Sequence, residues 1–151
     1  MQIIVDADAC PAVAKEILFR AGPRMKVNVT LVANQFLRTP PSPWLRAIQV
    51  PSGFDAADAR IVEIAEAGDL IITADIPLAA AVIAKGAFVL DPRGEWMNTD
   101  NINERLSIRD MMDQLRGSGV QTGGPPPYAP RDGKNFAAQV DRFLAKNKTA
   151  L

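Results

Sequence analysis

An open α/β sheet, mostly parallel and covered by helices on both faces, is the fold class that this 151-residue sequence predicts. Three observations carry the prediction. Short β-branched or aliphatic runs alternate with helical stretches, the links between them are short, and proline and glycine fall where helices begin and end. Ile3-Ile4-Val5 reads as a buried strand that stops at Asp6. Pro11 then suits a first helical turn, and Val13, Ile17 and Leu18 pattern a helix over 12–21 that Gly22 should end. A second strand is expected over 27–32. From Asn34 to Pro43 three prolines in four residues forbid a helix, and Ala47 to Val50 is a short third strand.

Asp55 to Ala67 places Ala57, Ile61, Ile64 and Ala65 on one helical face, with Gly68 as its stop. Leu70 to Thr73 is the next strand. Asp75 can cap a helix with Pro77 in its first turn and Gly86 at its end, and Ala87 to Leu90 is a further strand. Beyond it, 101–116 and 132–147 are helical, separated by the Gly/Pro-rich loop 117–130. One domain is expected, with an α/β core over 1–95 and a helical tail over 96–151 that wraps the sheet.

Composition removes several chemistries. The formal net charge is zero, which argues against partners held by bulk charge. There is no histidine, so Ser-His-Asp and Cys-His mechanisms and histidine-ligated zinc are excluded. The single cysteine, Cys10, excludes an internal disulfide and multi-cysteine metal sites, and it reads as a buried thiol beside Pro11. No apolar run nears the ~20 residues of a membrane span. The first residues lack the pattern of a secretory signal, so the cytoplasm is the expected compartment and no membrane partner is expected.

The zero conceals a pattern. Twelve of the 17 acids are aspartates, and the blocks 1–16, 17–54, 55–104 and 105–151 carry −2, +5, −7 and +4. In an open parallel sheet, the loops leaving the carboxyl ends of the strands share one edge, where ligands bind. Asp6, Asp8 and Asp75 lie on such loops, and Asp55 and Asp58 can join them if their helix starts over the same edge. Carboxylates so gathered repel, and Mg²⁺ or Mn²⁺ resolves the conflict because hard cations take oxygen ligands. Asp55, Asp58 and Asp75 also have a simpler reading as helix caps or first-turn acids, and Asp69 reads as a solvated turn residue.

Three segments resemble the core pattern of PIN-like nuclease domains: Asp55-x-x-Asp58-x-x-Ile61, Asp69-Leu-Ile-Ile-Thr73-Ala-Asp75 and Gly86-x-x-Val89-Leu90. The opening Asp6-Ala-Asp8-Ala-Cys10-Pro11, NINERL at 101–106 and the late GGPPPYAPRDGKNF together look like the YaiI/YqxD family of bacterial proteins, across essentially the whole chain. The resemblance implies a three-layer α/β/α PIN-like sandwich and a Mg²⁺- or Mn²⁺-dependent nuclease site, with RNA favoured over DNA as substrate. It implies catalytic roles for Asp6, Asp58 and Asp75, with Thr73 supporting them and Asp8 or Asp55 as further metal ligands. The acid that many such nucleases carry in mid-domain has no counterpart here, because 17–54 contains none. Asp91 is a loose match to a last acid.

Phosphate-binding candidates are Arg38 and Arg46, which flank the proline-rich stretch with Phe36 and Trp44, and Arg105, Arg109 and Arg116 in the tail. The plainer alternative is a stiff loop with solvated arginines and Trp44 packed inward. Two other functions compete. Asp6-x-Asp8 also resembles the nucleophile pair of haloacid-dehalogenase-like phosphatases, with Thr73 and Lys85 as later motifs, and a non-catalytic RNA- or nucleotide-binding module is the third reading.

Overall fold

A computed structural model describes residues 1–53, 55–124 and 126–148. Six strands form one sheet: β1 (Ile3–Asp6), β2 (Val29–Ala33), β3 (Leu45–Gln49), β4 (Leu70–Ile72), β5 (Phe88–Leu90) and β6 (Trp96–Met97). The order is β3-β2-β1-β4-β5-β6, with the first five parallel and β6 antiparallel to β5. The helices are α1 (Ala12–Met25), α2 (Ala56–Ile64), α3 (Ile76–Ala84), α4 (Ile102–Gly117) and α5 (Pro130–Lys148).

Strand composition explains the layers. In β1, Ile3 and Val5 face one side and Ile4 the other, and all three are fully buried, as expected where helices cover both faces of a parallel sheet. Ile3, Val5 and Leu31 pack with Leu18 of α1 and with Phe136, Val140 and Leu144 of α5. Ile4, Val32, Ile71 and Val89 pack with Ile61 of α2, Leu78 and Val82 of α3, and Ile102 of α4. The result is a three-layer α/β/α arrangement, and α5 supplies the wrapping tail.

Several boundaries differ from expectation. Gly22 does not end α1, which runs on to Met25 and closes at Lys26 in the left-handed region (φ 55°). Gly22 serves instead as a point of close approach, since a Cβ there would lie 2.7 Å from Val29 Cγ2 and 3.1 Å from the Val27 carbonyl oxygen. Pro23 lies inside this last turn, where it has no N–H to give the carbonyl four residues before it. The helix at 56–64 stops short of Gly68, because Ala65 turns extended (φ −68°, ψ 138°). β3 begins at Leu45, two residues before the expected start, held by parallel pairing to β2 from Val29↔Leu45 onward. β6 has no counterpart among the expected strands. Its two residues are paired through the turn at 91–95, where Gly94 has φ +87° and packs against the backbone of Asn135. The sheet therefore extends past residue 95 into the stretch expected to be helical tail.

Candidate functional site

The strand order reverses at β1: from β1 the chain builds outward to β2 and β3, then returns to place β4 on its other side. The carboxyl ends of β1 and β4 therefore flank the crevice in which open α/β sheets bind ligands. Asp6 ends β1, and Thr73 and Asp75 follow β4. Thr73 is only 2% exposed, and its hydroxyl donates to Asp6 Oδ2 at 2.9 Å. The same hydroxyl oxygen accepts from the Asp75 backbone N–H at 3.0 Å. Asp75 caps α3 by accepting from the Leu78 N–H at 3.0 Å, with Pro77 in the first turn. Thr73 thus joins the strand end, the helix start and the Asp6 carboxylate in one small network.

Asp58 faces this network from the first turn of α2. Burial pushes its carboxyl up to about 6, assisted by the charges of Asp75, Asp6 and Asp55 and by a hydrogen bond shared with the Asp75 carboxyl. Burial also raises Asp6; the Thr73 hydrogen bond lowers it, and the charges of Asp75 and Asp8 raise it again. No positive side chain is among the groups acting on either carboxyl. The capping explanation holds for Asp75, which both caps and faces the cluster. At α2, Asp55 occupies the cap position at φ 63° without a side-chain capping bond, while Asp58 is the first-turn acid that the plainer reading expects and faces the cluster as well.

The remaining candidates separate. Asp8 is exposed and accepts from the Asn34 N–H at 2.7 Å, so it ties the exit of β1 to the exit of β2 and sits beside Asp6 outside the inner group. Asp91 is consumed by the β5–β6 turn, accepting from the Arg93 and Glu95 N–H groups at 2.9 Å each, and is not a last member of the cluster. Among the described residues, no three acidic or cysteine side chains converge closely enough to hold an ion directly. Mg²⁺ needs no such cage, since it commonly takes one or two carboxylates and keeps several waters. The donor set of Asp6, Asp58 and Asp75, all hard oxygens with mutually repelling charge, fits a partly hydrated divalent cation.

Two flanks border the carboxylates. On one, Ile76, Asn101, Arg105, Ile108 and Arg109 line an open hollow. There Arg105 pairs with Glu95 at 3.6 Å, and Arg109 with Asp113 at 3.3 Å. On the other, Phe36 and Arg38 come after β2. Lys15 shares a second hollow with Arg38, a neighbour across the fold that no sequence spacing reveals. Arg46 does not join Arg38: its Nε donates to Thr30 Oγ1 at 3.0 Å, holding it against the sheet. Trp44 is also separated from Phe36. It is half-buried at the start of β3, where its carbonyl accepts from the Val29 N–H, at the opposite edge of the sheet.

Two other readings lose their chemistry. Lys85 lies at the far end of α3 from Asp75, and its Nζ donates to the Val62 carbonyl, so the phosphatase pattern has no lysine near Asp6. Burial pushes the Cys10 thiol up to about 12, leaving it protonated and inert.

Residues 4–146 match the family described as "Uncharacterized BCR, YaiI/YqxD family". The chain belongs to that family. A UPF0178 protein of Burkholderia ambifaria is 70% identical over 147 residues, which cover 97% of this chain and 98% of the relative. UPF0178 proteins of Burkholderia cenocepacia and Cupriavidus pinatubonensis are 69% and 67% identical over the same spans. No solved structure matches. Among the described residues of this YaiI/YqxD-family chain, no helix is long and apolar enough to cross a membrane.

Proposed function

We propose that the chain is a PIN-like, Mg²⁺- or Mn²⁺-dependent nuclease that hydrolyses phosphodiester bonds, with RNA as its substrate class. The observation that carries this reading is the set of Asp6, Asp58 and Asp75 at the strand-order reversal, where carboxylate faces carboxylate without a cationic side chain to balance them. These three residues would hold the cation, with Asp8 and Asp55 at its margin. A bound cation would supply Lewis acidity toward a phosphoryl oxygen and acidify a coordinated water. The protein's own part is positioning. Thr73 fixes the Asp6 carboxylate, and the α3 cap fixes Asp75. Asp58 carries a proton below about pH 6 and is ionised above it, so its own charge is available at neutral pH.

Incubation of the pure protein with single-stranded RNA and Mn²⁺ tests the reading, run beside an Asp6→Asn plus Asp75→Asn double variant. Cleavage by the natural chain alone is expected. Equal cleavage by both, or none by the natural chain across several RNA and DNA substrates, overturns it. One observation favours a second reading, a non-catalytic RNA- or nucleotide-binding module: the acids form no ready-made cage among the described residues. Mn²⁺ binding without turnover, with RNA affinity that survives Asp6→Asn, would select it.

A further inference from the structure

The carboxylate cluster has two flanks, and they are not equivalent. On the α4 side the arginines are already compensated, Arg105 by Glu95 and Arg109 by Asp110 and Asp113. On the β2 side, Arg38 makes no ion pair among the described residues; Lys15 and Glu16 border the same hollow without pairing with it, and the block 17–54 that carries Arg38 contains no acid. The β2 side also carries Phe36, which is 72% exposed, the most open of the large apolar residues in the described structure.

That exposure is built in. At its root the loop is tied to the site: the Ala7 N–H donates to the Val32 carbonyl, the Asn34 N–H to Asp8, and the Val50 N–H to the Ala33 carbonyl. One residue beyond Phe36, Leu37 is half-buried against the α1-side core. Pro40, Pro41 and Pro43 then stiffen the run of chain up to β3. Phe36 is thus held out to solvent by a loop anchored on both sides of it. Beside it lies a groove of about 310 Å³, lined by Gln35, Arg38 and the end of β3 among others. Asp6 pairs in register with Val32, so Phe36 is only four residues past the neighbour of a cluster carboxylate. Four residues reach at most ~14 Å.

An open aromatic face next to an uncompensated guanidinium is the combination that binds single-stranded nucleic acid, by stacking on a base and contacting its phosphate. A duplex, with its bases already stacked, offers Phe36 no free face. We infer that a single strand crosses the carboxyl edge from the Asp6–Asp58–Asp75 cluster toward β3, with a base stacked on Phe36 and a phosphate on Arg38, and not along α4. The inference rests on the proposed nuclease reading and adds to it the path of the strand, and it is tested without turnover.

Fluorescence anisotropy with a labelled 12-nucleotide single-stranded RNA, in EDTA, measures binding alone. Phe36→Ala should weaken affinity about tenfold, and Phe36→Trp should restore it. Arg38→Ala should weaken affinity and reduce the slope of log affinity against log salt by about one. Phe88→Ala, which removes another exposed aromatic at the opposite edge, should leave affinity unchanged. A 12-base-pair duplex should bind more weakly than the single strand. Affinity indifferent to both Phe36→Ala and Arg38→Ala overturns the inference even if Mn²⁺-dependent cleavage is observed. Loss of binding in both variants without cleavage by the natural chain supports the path and overturns the nuclease reading instead.

Discussion

β4 carries an aspartate at each end, and the two could hardly be more differently placed. Asp69, just before the strand, is 3% exposed and surrounded by donors: its carboxylate accepts from the Gln2 N–H at 3.1 Å, the Gln2 side-chain amide at 3.2 Å and the Glu66 N–H at 2.9 Å. It staples the start of β1 to the turn between α2 and β4. Asp75, just past the other end, faces Asp58 and Asp6, and its charge raises both. The same side chain is structural where backbone N–H groups surround it and a candidate for chemistry where other carboxylates do. What separates them is the neighbourhood, which the strand topology creates.

Substitutions at the two ends should therefore have opposite signatures. The largest effect is expected from Asp75→Asn. Asparagine caps a helix as well as aspartate does, so the melting temperature should hold, while Mn²⁺-dependent cleavage falls on the order of 100-fold or more. Cleavage unchanged in this variant would erase the functional half of the contrast. Asp69→Ala should do the reverse. It strands three donors in the interior, and the denaturant midpoint should drop by the equivalent of about 2–3 kcal/mol at unchanged m, with turnover per folded molecule preserved.

Thr73→Val sits between the two cases. It removes the charge-assisted bond to Asp6, for a stability loss of about 1.5 kcal/mol at neutral pH, and Asp6 should titrate still higher by carboxyl ¹³C NMR because that bond lowers it. The smallest effect concerns pH. Asp58 moves from 3.8 to about 6 on folding, so the folded chain holds that proton more tightly. The stabilisation this confers on the metal-free protein is complete below about pH 4 and lost once pH passes about 6. The melting temperature of the natural chain, relative to Asp58→Asn, should fall across that interval, and a flat difference would show that Asp58 is not held against its neighbours.

Much of this arrangement is legible in the residues. Strands that end in aspartate, and a Thr-x-Asp pair after a buried run, place Asp6, Thr73 and Asp75 on one edge by topology alone. Helix spacing brings in Asp58. What is not legible depends on contacts between distant segments. Asp69 reads as solvated because its partner Gln2 is 67 residues away. Gly22 resembles a helix stop, yet its requirement comes from Val29 pressing on the helix. β6 is too short to produce a periodic signal and exists through its pairing with β5. Trp44 and Arg46 are close to Phe36 and Arg38 in sequence but not in the fold. A parallel crossover must carry the chain back from one edge of the sheet to the other, so the two ends of the proline-rich stretch diverge.

That crossover has no helix on it, and it leads to β3, the last strand of the order and so an open margin of the sheet. A five-residue strand with unpaired outward amides is a template for self-association, and the opposite margin is blunted because β6 has only two residues. The guards on β3 are the prolines before it, Pro51 after it and the charge of Arg46 on the strand itself. Arg46, expected from the sequence as a phosphate contact, carries its charge on this open strand, where like charges on two copies would oppose edge-to-edge pairing.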